Sequence, residues 1–383
     1  MKDVGQRSAE AATLRHAIPY IRLFRGKTFV LKAGGGTLAS AAAIESLLAQ
    51  VEVFHQVGIR TVLVHGGGPQ SNDLARALGA EPRFVAGRRV TDARALEVAT
   101  LVLNGDVNTR LLAASRKIGL PAVGVSGVDA GLIVARRRPP VAVAEAGGLV
   151  DYGLVGDIEA VDPALLDTLL AAGLVPVVSP LSADRAGGLL NINADTVAAA
   201  LAASLGAEKL ILVTGAAGIL ERPDDPGSLV SYTDLAGLAA LRDRGCLASG
   251  MLPKANSIEA AIRGGVPRVH IISGDLPDSL LVEVFTNEGC GTLVVADVHA
   301  LSPAEQQPAA VPGAVAVPGG VAPGAVAVPG AVAPGGVAPG AAAPGAVAAA
   351  GAAAAPGIVA APASVAAPAS AATAAGRPLG GGR

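Results

Sequence analysis

Between residues 27 and 297 apolar positions recur with two different periods, and the switches between them outline the elements. Lys27–Lys32 is a short β-rich run leading into Gly34-Gly35-Gly36, and Arg60–His65 is a second, ending in Gly66-Gly67-Gly68. Residues 40–57 between them read as a helix. Strand, glycine loop, helix, strand, glycine loop implies a parallel pair with a right-handed crossover. The alternation continues with helical patterns at 69–79, 92–103 and 106–118, and strand-like runs at Ala122–Val125, Leu132–Ala135 and Leu149–Ile158. A helix over 162–172 leads to the strand Leu174–Ser179. The run Asn191 to Asp195 opens a helix reaching residue 205, and strand Lys209–Thr214 follows. Helices at 233–244 and 251–264, strand Arg268–Ile272, helix 278–286 and strand Gly291–Val295 close the series. Such alternation predicts an α/β fold, a three-layer αβα sandwich on a mainly parallel sheet. Ahead of it, Leu14, Ile18 and Ile21 at helical spacing predict a helical arm within residues 1–26, kinked or divided at Pro19.

The pattern ends near residue 298. No charged residue occurs between Glu305 and Arg377, and units such as Val-Pro-Gly-Ala-Val-Ala recur. Proline and glycine at that density, without a Gly-X-Y period, predict a low-complexity, disordered tail over 298–383. The 51% hydrophobic fraction is therefore inflated by tail alanine and valine. Pro or Gly every few residues denies the tail an uninterrupted spanning helix. The first apolar stretch is broken by Arg15, His16, Arg22 and Arg25, so neither a signal peptide nor a membrane span is expected.

Charge adds an exclusion. A net charge of −2 with short basic runs gives no field for nucleic acid, and an aromatic fraction of 2% leaves few stacking platforms. Cys246 and Cys290 lie far apart with no CxxC spacing, as expected of idle thiols in a reducing, cytoplasmic setting.

The candidate chemistry lies in the glycine loops. Each stands between a strand and a helix, where backbone N–H groups can converge on anionic oxygens. Lys32 precedes the first loop, and Pro69 follows the second. Neither loop matches GxxxxGK[ST] or a strict GxGxxG, which argues against P-loop and dinucleotide sites. Taken singly, a lysine ending a strand is usually a solvated edge residue and an aspartate opening a helix is usually a cap.

In combination the motifs carry more. LKAGGG (31–36), VLVHGGGPQ (62–70), FVAGRRVTD (84–92), GVSGVDAGLI (124–133), VDYGLVGDI (150–158), NINADTVAAALA (191–202), GMLPKANSIEAA (250–261) and the segment 270–292 resemble, in order and spacing, the N-acetylglutamate kinase family. The resemblance covers residues 10–297 and implies the amino acid kinase fold. It also implies an amino-acid substrate lobe over 27–180, a nucleotide-binding lobe over 181–297, and ATP with Mg²⁺ held mainly by the nucleotide rather than by a protein metal site. By resemblance Lys32 and Lys254 neutralise the transferring phosphoryl group and Asp195 holds them. Gly35, Gly36 and Gly67 bind phosphate through backbone N–H groups. Gly67, Gly68, Arg89 and Asn191 bind the amino-acid substrate, Arg89 at the α-carboxylate. The implied reaction is ATP-dependent phosphorylation of the γ-carboxylate of N-acetyl-L-glutamate, in arginine biosynthesis. The implied assembly is a homo-oligomer, either a dimer or a hexamer joined through the N-terminal arm.

The chain departs from the family pattern in places. Gly215 stands where an aspartate is usual, and Val128 where a lysine is usual. SGDLPDS (273–279) replaces DGRxxHS in a region that contributes to the feedback arginine site of regulated members. The departures keep two alternatives open: a kinase for another N-blocked acidic amino acid, such as N-succinylglutamate or a carrier-linked aminoadipate, and a non-catalytic regulatory paralogue.

Overall fold

A computed structural model describes residues 15–143, 146–222, 224–247 and 250–298. Eight strands form the central sheet, in the order β14-β16-β15-β13-β1-β2-β10-β5. They are β1 (Thr28–Ala33), β2 (Arg60–His65), β5 (Ala122–Ser126), β10 (Val175–Ser179), β13 (Lys209–Thr214), β14 (Tyr232–Asp234), β15 (Arg268–Ser273) and β16 (Thr292–Val295). Every pairing in it is parallel except β15 with β16. The sheet is mainly parallel, as the alternation of strands and helices requires.

Helices cover both faces, so the strands are buried on both sides and read as near-continuous apolar runs. Side chains alternate between the two faces. Val30, Val62, Val64, Val178, Leu210 and Leu212 enter one core. Phe29, Leu31, Leu63, Val177, Ile211 and Val213 enter the other. The first core is closed by α5 (Ala164–Ala171), α6 (Ala194–Ser204), α7 (Leu235–Asp243) and α8 (Leu252–Arg263). The second is closed by α1 (Ala41–Gln56), α4 (Asn108–Lys117) and α9 (Ser279–Phe285). A four-stranded sheet, in the order β12-β11-β6-β9, extends the first face. It comprises β6 (Ile133–Arg137), β9 (Gly156–Val161), β11 (Leu181–Ala183) and β12 (Leu189–Asn191).

Some elements differ from expectation. The expected strand Leu149–Ile158 is two: β8 (Gly148–Val150), paired with β7 (Val141–Val143), and β9. They part because Asp151 Oδ1 accepts from Gly153 N at 2.8 Å, and Gly153 has φ 75° against the carbonyl of Thr91. The expected helices 92–103 and 106–118 are one continuous rod. In it α3 (Ala93–Thr100) passes through a π-helical segment, Leu101–Val107, into α4. Residues 15–24 form an unbroken helical run, so Pro19 does not divide it there. That run docks through Phe24, whose ring meets Phe29 edge-on at 5.3 Å, while Phe29 meets Phe54 at 5.9 Å. The rest of the expected arm and the tail beyond Val298 lie outside the described residues. Among those described, no helix is long and apolar enough to cross a membrane.

Two histidines are sealed into this core. His270 stands in a row in which Lys209 Nζ donates to its Nε2 at 2.9 Å and its Nδ1 donates to Glu283 Oε1 at 2.7 Å. Burial holds His270 at about 4 and, independently, His65 at about 4. Both take up protons more readily in the unfolded chain, where a histidine titrates near 6.5. The unfolded state therefore binds more protons between pH 6.5 and 4, and stability falls as pH drops through that window. The loss is of order 2–3 kcal/mol per histidine. Melting temperature measured from pH 7.5 to 4 should fall steeply below about pH 6.5; a flat profile down to pH 4.5 would contradict the burial of both rings.

Candidate active site

The two glycine loops leave the carboxyl ends of neighbouring strands. β1 lies between β2 and β13 in the sheet, and ligands of such sheets bind at that edge. Gly34 N donates to Val213 O at 3.0 Å and Gly66 N to Ala33 O at 3.0 Å, so each loop continues the strand ladder by one residue before turning. The first loop runs into a 3-10 turn, Gly36–Leu38, and the second into α2 (Gly68–Ala77), with Pro69 in its first turn. The loops touch: a Cβ at Gly35 would sit 2.7 Å from Pro69 Cγ.

Above the loops is a cavity of about 780 Å³, in the range of small-molecule sites. Lys32 and Gly35 line its floor, with Gly67 and Gly68 beside them and Asp195 and Lys254 opposite. Arg89 and Asn191 stand on its wall. Gly36 is not part of the lining; it begins the 3-10 turn and faces open space.

Asp195 joins the two lysines. Lys32 Nζ lies 2.8 Å from Asp195 Oδ1, and Lys254 Nζ lies 3.0 Å from Oδ2. Lys32 comes from β1, Asp195 from the first turn of α6 and Lys254 from the first turn of α8. Asn193 caps α6 by accepting from Asp195 N at 2.7 Å, which leaves the Asp195 carboxylate free for the lysines. Burial raises the Asp195 pKa, but both lysines outweigh it and hold the carboxyl below its usual range. Burial, together with Lys254, lowers Lys32, and Asp195 only partly offsets this. An anion arriving between the ammonium groups would reverse that shift. Two cations sharing one carboxylate leave an excess positive charge aimed at the cavity, which suits an incoming phosphate.

Arg89 belongs to a two-stranded ribbon of β3 (Phe84–Val85) and β4 (Arg88–Arg89). Its guanidinium stacks over Phe84 at 4.9 Å, donates to Gly68 O at 3.2 Å and hydrogen-bonds Asn72 Oδ1. Burial lowers its pKa. Held this way, Arg89 offers its remaining donors to a carboxylate in a fixed plane. Asn191 Nδ2 is 3.4 Å from Thr91 Oγ1, a long contact that leaves the amide available. A further ion pair, Arg138 with Asp157, also lines the cavity. Arg138, whose Nε donates to Asp157 Oδ1 at 2.8 Å, closes the wall formed by β9. The pairing across β6 and β9 brings them together, and only their opposite charges hinted at it in sequence.

A family model described as the amino acid kinase family matches residues 27–273. The chain belongs to the amino acid kinase family. Among its relatives in this family, an acetylglutamate kinase of Myxococcus xanthus is 51% identical over 288 residues, 74% of this chain and 94% of that protein. One of Symbiobacterium thermophilum is 47% identical, covering 75% and 97%. Of solved structures, an N-acetylglutamate synthase from Neisseria gonorrhoeae, complexed with coenzyme A and N-acetyl-glutamate, is similar with a TM-score of 0.66 and 34% identity. That similarity covers 75% of this chain and 64% of the synthase. A carbamate kinase of Giardia lamblia bound to AMP-PNP, with a TM-score of 0.51 and 17% identity, shares the amino acid kinase fold.

Proposed function

We propose that this chain uses ATP to phosphorylate the γ-carboxylate of N-acetyl-L-glutamate, giving N-acetylglutamyl 5-phosphate for arginine biosynthesis. The observation that carries the reading is the Lys32–Asp195–Lys254 trio facing two glycine loops. Relatives named acetylglutamate kinase, matched over nearly their whole length, support the substrate. Arg89 holds the α-carboxylate through its planar fork, and Asn191 holds the acylated amino group. The γ-carboxylate attacks the γ-phosphorus of ATP; a new P–O bond forms as the bond to the β-phosphate oxygen breaks, and ADP leaves. The attacking carboxylate is already ionised, so no general base is needed. Charge spreading over the phosphoryl oxygens meets Lys32 and Lys254 and the N–H groups of Gly35 and Gly67.

In this reading residues 27–180 supply most of the amino-acid side of the site and 181–297 the nucleotide side. Asp195 is committed to the lysines. By the same resemblance, Mg²⁺ accompanying ATP would be held mainly by phosphates and water, where it would neutralise charge on the nucleotide. The working form is a cytoplasmic homo-oligomer, a dimer or a hexamer joined through the N-terminal arm. Light scattering that finds only monomer would overturn that part.

The deciding assay is ATP turnover with Mg²⁺ and hydroxylamine trapping, across N-acetylglutamate, N-succinylglutamate and free glutamate. Hydroxamate is expected with N-acetylglutamate alone; none from any of the three would overturn the proposal. Arg89→Lys keeps the charge but loses the fork. It should raise KM for N-acetylglutamate roughly 10- to 100-fold while moving the KM for ATP far less. An equal rise in both constants would remove Arg89 from the carboxylate.

A further inference from the structure

Each carbonyl of the Gly66-Gly67-Gly68 loop has a partner. The Gly66 oxygen is 3.0 Å from Nδ1 of His65. The Gly67 oxygen accepts from Ser71 N at 2.8 Å, and the Gly68 oxygen from Arg89 Nη2 at 3.2 Å. In a trans peptide C=O and N–H point in opposite directions. Anchoring an oxygen therefore also aims the N–H of the following residue. Gly67 N and Gly68 N stand at the start of α2, where N–H groups have no partner within the helix, and both residues line the cavity.

The Gly66 anchor needs a proton on Nδ1 of His65, and the neighbourhood decides that proton. Asn108 Nδ2 lies 3.0 Å from Val177 O and 3.1 Å from His65 Nε2. A backbone carbonyl only accepts, so the nitrogen end of the Asn108 amide must face Val177. The same nitrogen then donates its second hydrogen to Nε2, which is left as the acceptor. Nδ1 must carry the hydrogen and donates it to Gly66 O. Burial keeps His65 near 4 and so neutral at working pH. Room for this arrangement is built into the sheet: a Cβ at Gly124, on β5, would run into Asn108 Oδ1. The π-helical segment brings Asn108 here, since it adds residues to the turn immediately before Asn108.

We propose that Asn108 and His65 are positioning residues for phosphoryl transfer: they set the Gly66–Gly67 peptide so that the Gly67 N–H faces the transferring group. The proposal rests on the kinase reading above. Neither residue touches substrate. Their effect falls on transition-state charge, and so on kcat rather than on either KM.

The test compares wild type with His65→Asn, His65→Leu and Asn108→Leu, measuring kcat, both KM values and melting temperature. Asn places an amide nitrogen where Nδ1 lies and can still hold Gly66 O, whereas Leu has the same shape and no donor. Leu leaves Gly66 O and Asn108 Nδ2 without their partner, so a purely structural role would show as a lower melting temperature with kcat per folded molecule unchanged. His65→Asn keeps kcat within about threefold, while His65→Leu lowers it at least tenfold, on the order of a weakened oxyanion-type donor. The Leu protein melts lower than the Asn protein, since Gly66 O is left unpaired, but it stays folded at the assay temperature, where kcat is counted per folded molecule. Asn108→Leu, which frees the tautomer, lowers kcat with both KM values unchanged. A Leu variant at position 65 as active per folded molecule as the Asn variant would overturn the proposal. If His65→Leu fails to fold, Asn108→Leu decides, and an unchanged kcat there overturns the idea. Absence of turnover in the wild type would instead overturn the kinase reading.

Discussion

Asp195→Asn is expected to lower kcat by about 10³-fold or more, because one carboxylate organises both cations. Lys32 Nζ and Lys254 Nζ lie 2.8 Å and 3.0 Å from its two oxygens, in a place where the Lys32 and Asp195 side chains are only 8% and 5% exposed. Without the negative charge the two ammonium groups repel across a poorly solvated gap. Burial already lowers the Lys32 pKa, and without Asp195 it would fall further. The site would hold its cations less well as it loses their organiser. A loss of 10³ corresponds to about 4 kcal/mol of transition-state stabilisation. Breaking a buried pair also threatens the fold, at about 3–5 kcal/mol. Lys32→Met separates the two effects, since Asp195 keeps Lys254 as its partner. That protein should fold and bind nucleotide yet turn over about 10³-fold more slowly, as loss of one preorganised charge on a phosphoryl group predicts. Turnover within tenfold of wild type in both variants would make the trio a structural ion pair and nothing more.

Gly35→Ala should be nearly as damaging, and Gly36→Ala nearly silent. Gly35 has φ −58° and ψ −38°, a conformation any residue accepts, so alanine brings no backbone strain there. What it brings is a methyl group against the Pro69 ring, 2.7 Å from Cγ. Proline in the first turn of α2 cannot rotate away. The two glycine loops would have to separate by about an ångström, and such a misplacement of reacting groups costs on the order of 10²-fold in rate. At Gly36 a methyl group meets nothing within 4 Å, and alanine keeps the N–H. Measuring kcat/KM for both variants, with circular dichroism to check folding, gives the answer. Equal activities would mean that contact between the loops does not set the geometry of transfer.

The longer strands and most helices were legible because their signals are local, whereas β3, β4, β7, β11, β12 and β14, each two or three residues long, are too short to show a period. β1 and β2 are buried on both faces and read as apolar runs; α1 shows its apolar stripe; the glycine loops interrupt both periods at once. Lys32, Asp195 and Lys254 could be singled out by the motifs around them, though nothing in a single sequence measures the distance between positions 195 and 254. The π-helical segment escaped notice. A helix that gains a residue in one turn shifts its apolar stripe without a break, and Asn104 and Gly105 fall between the two helical patterns expected at 92–103 and 106–118. Asn108 was missed with it. Its partners, His65 and Val177, lie on strands far apart in the chain, and only Gly124, a glycine inside a strand, pointed to a close approach. The division of residues 149–158 between two strands escaped for a related reason. The run stays apolar enough for one strand, and the turn depends on Gly153 meeting Thr91, a contact no local pattern announces.

By itself, the sequence determined the longer strands of the central sheet and most helices, that the sheet would be mainly parallel, and which glycine loops would stand at its carboxyl edge. Those properties follow from periodicity, backbone propensity and short connections, all written within a few residues of one another. The tertiary structure alone decided that Asp195 would face both lysines, that Pro69 would bear on Gly35, and that Asn108 would choose the tautomer of His65. Each depends on the register of parallel strands and the packing of helices across them, where long-range burial, not local preference, sets position to within an ångström.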